Sequence, residues 1–159
     1  MATQRKYPEF QYDDQLCAGY LLVWTWRKLV VGHGDCPVLT REYERFAGPQ
    51  ADFLLSAFAN FLLVLGQASR RVLAVGQPYC AGITADEERM LRLIAAAQTG
   101  DAVLLWAHLA WLARREHQVD VMTAANSLAA ALTDVGVALP PVRMPIPPRH
   151  TALDVVTAH

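Results

Sequence analysis

The sequence predicts an all-α fold, an irregular bundle of five or six helices followed by an extended proline-rich C-terminal arm. Apolar residues recur at three- and four-residue spacing over most of the chain. Helix start and stop signals divide the chain into separate segments. No pair of runs shows the alternation of apolar and polar residues that two paired strands would have. We expect residues 1–139 to form a single helical domain with residues 1–11 as a loose lead-in, and residues 140–159 to form the arm.

The first helix is expected to begin near Asp13 and Asp14 and to end by Gly32. Negative charges suit the positive N-terminal end of a helix. The segment between them, "QLCAGYLLVWTWRKLVV", is apolar nearly all round. Such a helix is usually central in a domain or shared with a partner subunit.

Two more helices follow, the first starting at Pro37 and stopping at Gly48 and Pro49, and the second covering about 50–68. The second carries one continuous apolar face made of Leu54, Phe58, Phe61, Leu62 and Leu65. Its run 51–68 is apolar enough to raise the question of a membrane span. Polar residues recur at helical spacing on the other side, and we therefore expect a core helix: these are Asp52, Ser56 and Asn60.

Residues 71–75, "RVLAV", favour an extended connector, although a lone strand stays open. A helix then starts with a capping box formed by Thr84 and Glu87, and ends at Gly100. Asp101 is expected to cap the next helix at once.

The helix after Asp101 is predicted to continue to His117, with Arg114, Arg115 and His117 as favourable cations at its C-terminal end. His108 shares a face with apolar residues and is expected to be a buried or interface histidine. A last helix should run from near Asp120 to Gly136. The short connections predict antiparallel neighbours.

Composition excludes some classes of function. The net charge is −1, the pI is near 6.5 and there is no basic patch, which argues against nucleic-acid binding. The N-terminus lacks a secretory signal and the three cysteines form no disulfide framework, so we expect a cytoplasmic protein without a cofactor.

Apolar residues make up 53% of the chain and charged residues only 18%, which predicts more apolar surface than one bundle hides. Trp24 and Trp26 are two positions apart and point about 200° apart on a helix, and the same holds loosely for Trp106 and Trp111, so some of the four rings must face a second surface. We therefore predict that the protein acts by association with itself, as a homo-oligomer, or with another protein. The candidate interface residues are Trp24, Trp26, Trp106 and Trp111.

The alternative is a small redox, metal- or ligand-binding protein or an enzyme that uses a pocket near His33, Cys36 and Cys80. Both cysteines precede predicted helix starts, where a thiol pKa is lowered. Structural zinc needs four ligands, usually in two close pairs, and the chain offers one such pair. No catalytic motif is present, and Cys80 lies beside acidic residues that oppose a thiolate.

The arm contains Pro145 and Pro148 in a P-x-x-P pattern, with Arg143 and Arg149 alongside. This pattern is typical of ligands for aromatic grooves. We favour an arm that lies over the body or over a neighbouring subunit, because short matches of this kind arise by chance in proline-rich tails.

Overall fold

The structure, a computed structural model, describes residues 14–139, with side chains from Ala18 onward. These residues form α-helices joined by turns and, between residues 69 and 84, by a longer connector, and none of them belongs to a β-strand. The all-α prediction is therefore confirmed, whereas the predicted lead-in 1–11 and arm 140–159 lie outside the described residues. The helices are α1 (Asp14–Val30), α2 (Pro37–Ala47), α3 (Ala51–Ala68), α4 (Ala85–Thr99), α5 (Ala102–Leu112) and α6 (Gln118–Asp134).

The core forms around α3, which packs mainly against α6 and also contacts α1 and α2. α4 packs against both α5 and α6. The predicted apolar face of α3 is the one that enters the core, with Leu62 partly buried and Leu54, Phe58, Phe61 and Leu65 fully buried. The Phe58 and Phe61 rings stack with their centroids 6.3 Å apart.

The opposite face of α3 is exposed and carries Asp52, Ser56 and Asn60, as the spacing predicts. Among the described residues one helical stretch, Pro37–Ala68, is long and apolar enough to cross a membrane by length and composition. This is weak evidence for a span because core helices pass the same test.

Local signals place most helix boundaries correctly. Pro37 is the first residue of α2. At the start of α4, the Thr84 hydroxyl accepts from the Glu87 amide and the Glu87 carboxylate accepts from the Thr84 amide, which completes the predicted capping box. Gly100 ends α4 in the left-handed conformation with φ 71°, which glycine adopts without strain. The Asp101 carboxylate then caps α5 by accepting from the Leu104 amide.

The predicted end of α5 is wrong, because α5 stops at Leu112 and not at His117. Ala113 is extended and pairs with Ser69 in an isolated antiparallel bridge. The Arg70 amide donates to the Leu112 carbonyl and the Arg114 amide donates to the Ala68 carbonyl. This pairing of the ends of α3 and α5 is tertiary, and it overrides the helical pattern of residues 113–117.

Two arginines reinforce the pairing, because the arginine that follows each helix binds a carbonyl group of the other helix. The Arg70 guanidinium donates to the Ala110 carbonyl of α5 at 2.8 Å, and the Arg114 guanidinium donates to the Gln67 carbonyl of α3 at 2.8 Å. Cations stabilise the C-terminal carbonyls of a helix. The prediction that Arg114 serves the end of its own helix is therefore wrong, since it serves α3.

The last helix also starts earlier than predicted, at Gln118, and ends at Asp134. A 3₁₀ turn, Arg115–His117, leads into it. The predicted cations Arg115 and His117 thus lie at the start of α6 and not at the end of α5. His117 Nδ1 is 3.7 Å from the Asp120 carboxylate in the first turn of α6. Residues 71–77 belong to no helix or strand, as expected of a connector.

Candidate functional site

The four tryptophans differ in exposure. Trp26 is buried in the core and Trp24 is partly buried. Trp106 and Trp111 are exposed, with accessible fractions of 43% and 54%. Among the four, the two α5 tryptophans are therefore the ones open to contact with another molecule.

Exposed apolar side chains cover one side of α5 along its whole length. Only Leu105, Leu109 and Leu112 of this helix are buried. At 100° per residue, the exposed side chains between Val103 and Trp111 cover about 160° of the helix circumference. We call this surface the α5 face; it consists of Val103, Leu104, Trp106, Ala107, Ala110 and Trp111. α5 contains no charged residue, so the α5 face is apolar throughout.

The two ends of the α5 face carry opposite charges. The exposed Asp101 carboxylate lies at the N-terminal end, where it caps the helix. At the C-terminal end the Arg89 guanidinium of α4 lies over the Trp111 ring, 4.2 Å from its centroid. Arg70 binds the Ala110 carbonyl at the same end, and Arg114 follows two residues after α5.

His108 is half-buried on the edge of α5 that faces α4. Its burial lowers the pKa of the imidazole, and the nearby Arg92 and Arg89 guanidinium groups lower this pKa further. His108 is thus favoured in its neutral form. No carboxylate among the described residues pairs with it, as a general base would require.

The His33, Cys36 and Cys80 positions lie on two loops that both approach the C-terminal half of α1. The Arg27 guanidinium donates to the Cys80 carbonyl at 2.8 Å, and the Lys28 ammonium lies over the Tyr79 ring, 5.6 Å from its centroid. On the other loop, the His33 amide donates to the Lys28 carbonyl at 2.9 Å. Cys36 and Cys80 are free thiols, with Cys36 partly buried and Cys80 exposed.

Cys36 occupies the residue before the first turn of α2. Its side chain forms no capping hydrogen bond, yet the Leu39 amide of that turn lowers the pKa of the thiol. Burial opposes this shift, whereas the Val38 amide and the positive charge of Lys28 support it. Lys28 is 7% exposed and, among the described residues, has no carboxylate partner; its ammonium lies 5.4 Å from the centroid of the Trp24 ring.

A buried ion pair holds the 76–84 loop on α1. The Glu87 carboxylate accepts from Arg27 Nε at 2.7 Å and from Arg27 Nη2 at 2.8 Å. It also accepts from the Gly76 amide at 2.9 Å and from the Thr84 amide at 2.7 Å. Arg27 completes its own bonding with the carbonyls of Cys80 and Gly82. The loop therefore surrounds one charged pair, and both the Arg27 guanidinium and the Glu87 carboxylate form hydrogen bonds with its backbone.

The neighbouring Asp86 holds the preceding connector in the same way. Its carboxylate accepts from both Nη1 and Nη2 of Arg71, at 2.8 and 2.7 Å, and from the Ala74 amide at 2.7 Å. The Arg71 guanidinium is the main cause that lowers the pKa of Asp86, against an opposing effect of burial. The two acids at the start of α4 are thus structural anchors as well as favourable charges at a helix N-terminus.

Sequence reasoning assigned Asp86 and Glu87 only to the start of α4. Their arginine partners Arg71 and Arg27 lie 15 and 60 residues away, and no local pattern indicates such pairs. A partial signal exists for one of the two pairs: Arg27 is a charged residue in the last turn of a helix that is otherwise nearly all apolar. A charge in that position needs a partner.

No group of three or more His, Cys, Asp or Glu side chains in the described part of the chain could hold a metal ion. No protein-family model, curated protein sequence or solved structure matches this chain.

Proposed function

We propose that this protein functions by association with a second copy of itself, through the α5 face. The observation that carries the proposal is the continuous apolar surface of α5, in which Val103 is 81% exposed and Trp111 is 54% exposed. Exposed apolar patches of this kind mark association sites more often than isolated apolar side chains do. Burial of apolar area stabilises contact by about 25 cal/mol per Å² before the cost of association is subtracted.

The composition of the α5 face supports this role. Tryptophan is enriched among the residues that dominate binding energy. The face carries no charge that would have to be desolvated when it is covered. The whole chain has a net charge of −1, so two copies do not repel each other strongly. The face is small compared with the roughly 20–30 residues per side of a standard interface, and we therefore expect a weak, concentration-dependent dimer.

The proposal is tested by a substitution that introduces a charged side chain in the centre of the α5 face. We expect sedimentation velocity to show a concentration-dependent dimer of the unmodified protein, and Ala107→Glu to raise the dissociation constant at least about tenfold, because glutamate would be buried without a partner. The matched control is Ala130→Glu, at an exposed position inside α6. Glutamate is a good helix former at either site, so both variants should keep their helix content by circular dichroism.

Two results would contradict the proposal. One is a protein that stays monomeric up to several hundred micromolar. The other is a dimer that Ala107→Glu and Ala130→Glu weaken equally, since that would place the interface away from α5.

A second candidate function is a reactive thiol at Cys36. It is favoured by the position of this cysteine before the first turn of α2 and by the neighbouring Lys28 ammonium, both of which lower the pKa of the thiol. Thiolates are the nucleophilic form of cysteine. This candidate is independent of the α5 face and can be tested separately.

In a Cys17→Ser/Cys80→Ser variant, Cys36 is the one remaining cysteine. We expect its alkylation by iodoacetamide to show a lower pH midpoint in the native protein than in the urea-unfolded variant, because the pKa of the Cys36 thiol is lowered in the fold. Lys28→Met removes the charge but keeps a long side chain, and it should move the midpoint upward. The urea-unfolded variant is the reference, and a native midpoint at or above the unfolded one would refute the candidate.

A further inference from the structure

We propose that the two copies pair their α5 helices in antiparallel orientation about a two-fold axis. In this arrangement Asp101 of each copy lies beside the arginines at the C-terminal end of the partner's α5. This inference rests on the proposed self-association and specifies its geometry. A two-fold axis uses the same patch on both copies, so one exposed face is sufficient for a closed dimer.

The charges at the ends of the α5 face decide the orientation. Arg89 and Arg70 contact the C-terminal end of α5, at Trp111 and Ala110. The N-terminal end carries the exposed Asp101 carboxylate, and the sequence has no lysine or arginine between residues 93 and 113 or between 116 and 139. A parallel pair would place the arginines of both copies together, whereas an antiparallel pair places each Asp101 near the partner's arginines. Complementary charges fix register and exclude wrong arrangements.

Neither Arg70 nor Arg114 has a carboxylate partner within residues 14–139, because their guanidinium groups bind backbone carbonyls. Arg89 has one ion pair, with the Asp86 carboxylate at 3.6 Å, and that carboxylate is held more closely by Arg71 at 2.7 Å. These arginines can therefore bind an additional carboxylate at their exposed sides without giving up an existing ion pair.

The shape of the α5 face fits the same geometry. Val103, Ala107 and Ala110 follow each other at spacings of four and three residues and form the centre line of the face. The small side chains of Ala107 and Ala110 on this line let two helix backbones approach closely. Trp106 lies on one side of the line and Trp111 on the other, so their rings can pack over the helix of the partner and cover its flanks.

The helix dipoles favour the same orientation. In an antiparallel pair the partially positive N-terminus of each helix lies beside the partially negative C-terminus of the other. α5 is short, with 11 residues, so its two ends are only about 16 Å apart and both contribute within one interface.

The charge contribution is tested by Asp101→Asn. Asparagine is as good an N-cap residue as aspartate, so the substitution removes the charge and keeps the cap. We expect the dissociation constant to rise several-fold at low ionic strength and to approach that of the unmodified protein at about 0.5 M salt, because screening removes the interaction. Asp52→Asn, on the exposed face of α3, is the control and should have no effect.

The orientation itself is tested by cross-linking in a background in which Cys17, Cys36 and Cys80 are replaced by serine. Val103→Cys and Ala110→Cys are seven residues apart, about 10.5 Å along α5. In an antiparallel pair a mixture of the two variants should form the mixed disulfide, between position 103 of one copy and position 110 of the other, several-fold faster than either variant forms a disulfide with itself. One variant carries a mass tag so that the three products are resolved.

Faster self-cross-linking by either variant overturns the antiparallel orientation, and so does the absence of any cross-link in a background that still dimerises by sedimentation. A background that shows no dimer at any concentration, together with a monomeric unmodified protein, overturns the proposed function itself. The two failures are thus distinguishable.

Discussion

Glu87→Gln is expected to lower the free energy of unfolding by about 3–5 kcal/mol, the usual result of removing one partner from a buried ion pair. Four N–H groups point at the two Glu87 carboxylate oxygens, two from Arg27 and one each from Gly76 and Thr84. In a glutamine, an NH₂ group would replace one of the two oxygens, and this donor would face the two N–H donors that the oxygen now accepts from. The substitution would also leave the Arg27 guanidinium, whose side chain is 5% exposed, without a counter-charge.

Urea unfolding followed by circular dichroism measures this effect. The matched control is Glu88→Gln at the next position, where the carboxylate pairs with Arg92 at 2.7 Å on a partly exposed surface. That pair joins residues four apart on one helix, and its loss should cost no more than about 0.5 kcal/mol. Similar destabilisation by the two variants would show that the Arg27–Glu87 pair does not hold the loop as the structure indicates.

A double variant separates the pair from its surroundings. Arg27→Met alone leaves Glu87 buried without a counter-charge and removes the donors to Cys80 and Gly82. If the two side chains act as one unit, Arg27→Met/Glu87→Gln should be much less destabilised than the sum of the single variants.

Gly76→Ala is expected to destabilise the protein by about 1–3 kcal/mol through overpacking. A Cβ atom at this position would lie 2.7 Å from Arg27 Nη2 and 2.9 Å from Arg27 Cζ. The end of an arginine side chain usually moves aside, but this one is held by Glu87 and by the Cys80 and Gly82 carbonyls. The backbone of the loop would have to shift instead, and with it the Gly76 amide that donates to Glu87.

Gly66→Ala, also measured by urea unfolding, is the control for this prediction. Gly66 lies on the exposed side of α3, and a Cβ there meets no atom within 4 Å. Alanine is more favourable than glycine inside a helix, so this variant should gain roughly 0.5–1 kcal/mol. Opposite signs for the two glycine substitutions are therefore expected, and a neutral or stabilising Gly76→Ala would mean that the Arg27 guanidinium is not fixed.

The helix starts were predictable because they depend on residues close in sequence. The Thr84 capping box, the Gly100 stop and the Asp101 cap each involve positions within four residues of one another. The end of α5 was not predictable in this way. It is set by Ser69 and Arg70, more than forty residues earlier, which pair with residues 112–114 after the chain has folded.

The candidate site was predictable only in part. Excess apolar composition indicated an exposed surface, but periodicity could not show which tryptophans would supply it. α1 and α5 are both apolar nearly all round, and only packing decides that Trp26 is covered while Trp106 and Trp111 are exposed. The Arg27–Glu87 pair was missed because its partners are separated by 60 residues.

The hydrogen bonds that Arg70 and Arg114 form between the ends of α3 and α5 also stabilise the helix that carries the exposed tryptophans. An 11-residue helix is too short to persist in water on its own. The Asp101 carboxylate holds the Leu104 amide in the first turn of α5 and the Arg70 guanidinium holds the Ala110 carbonyl in the last turn, so fraying at either end would break one of these hydrogen bonds. The backbone that carries the two tryptophans is therefore already ordered, and binding to this surface would cost little further conformational entropy of α5.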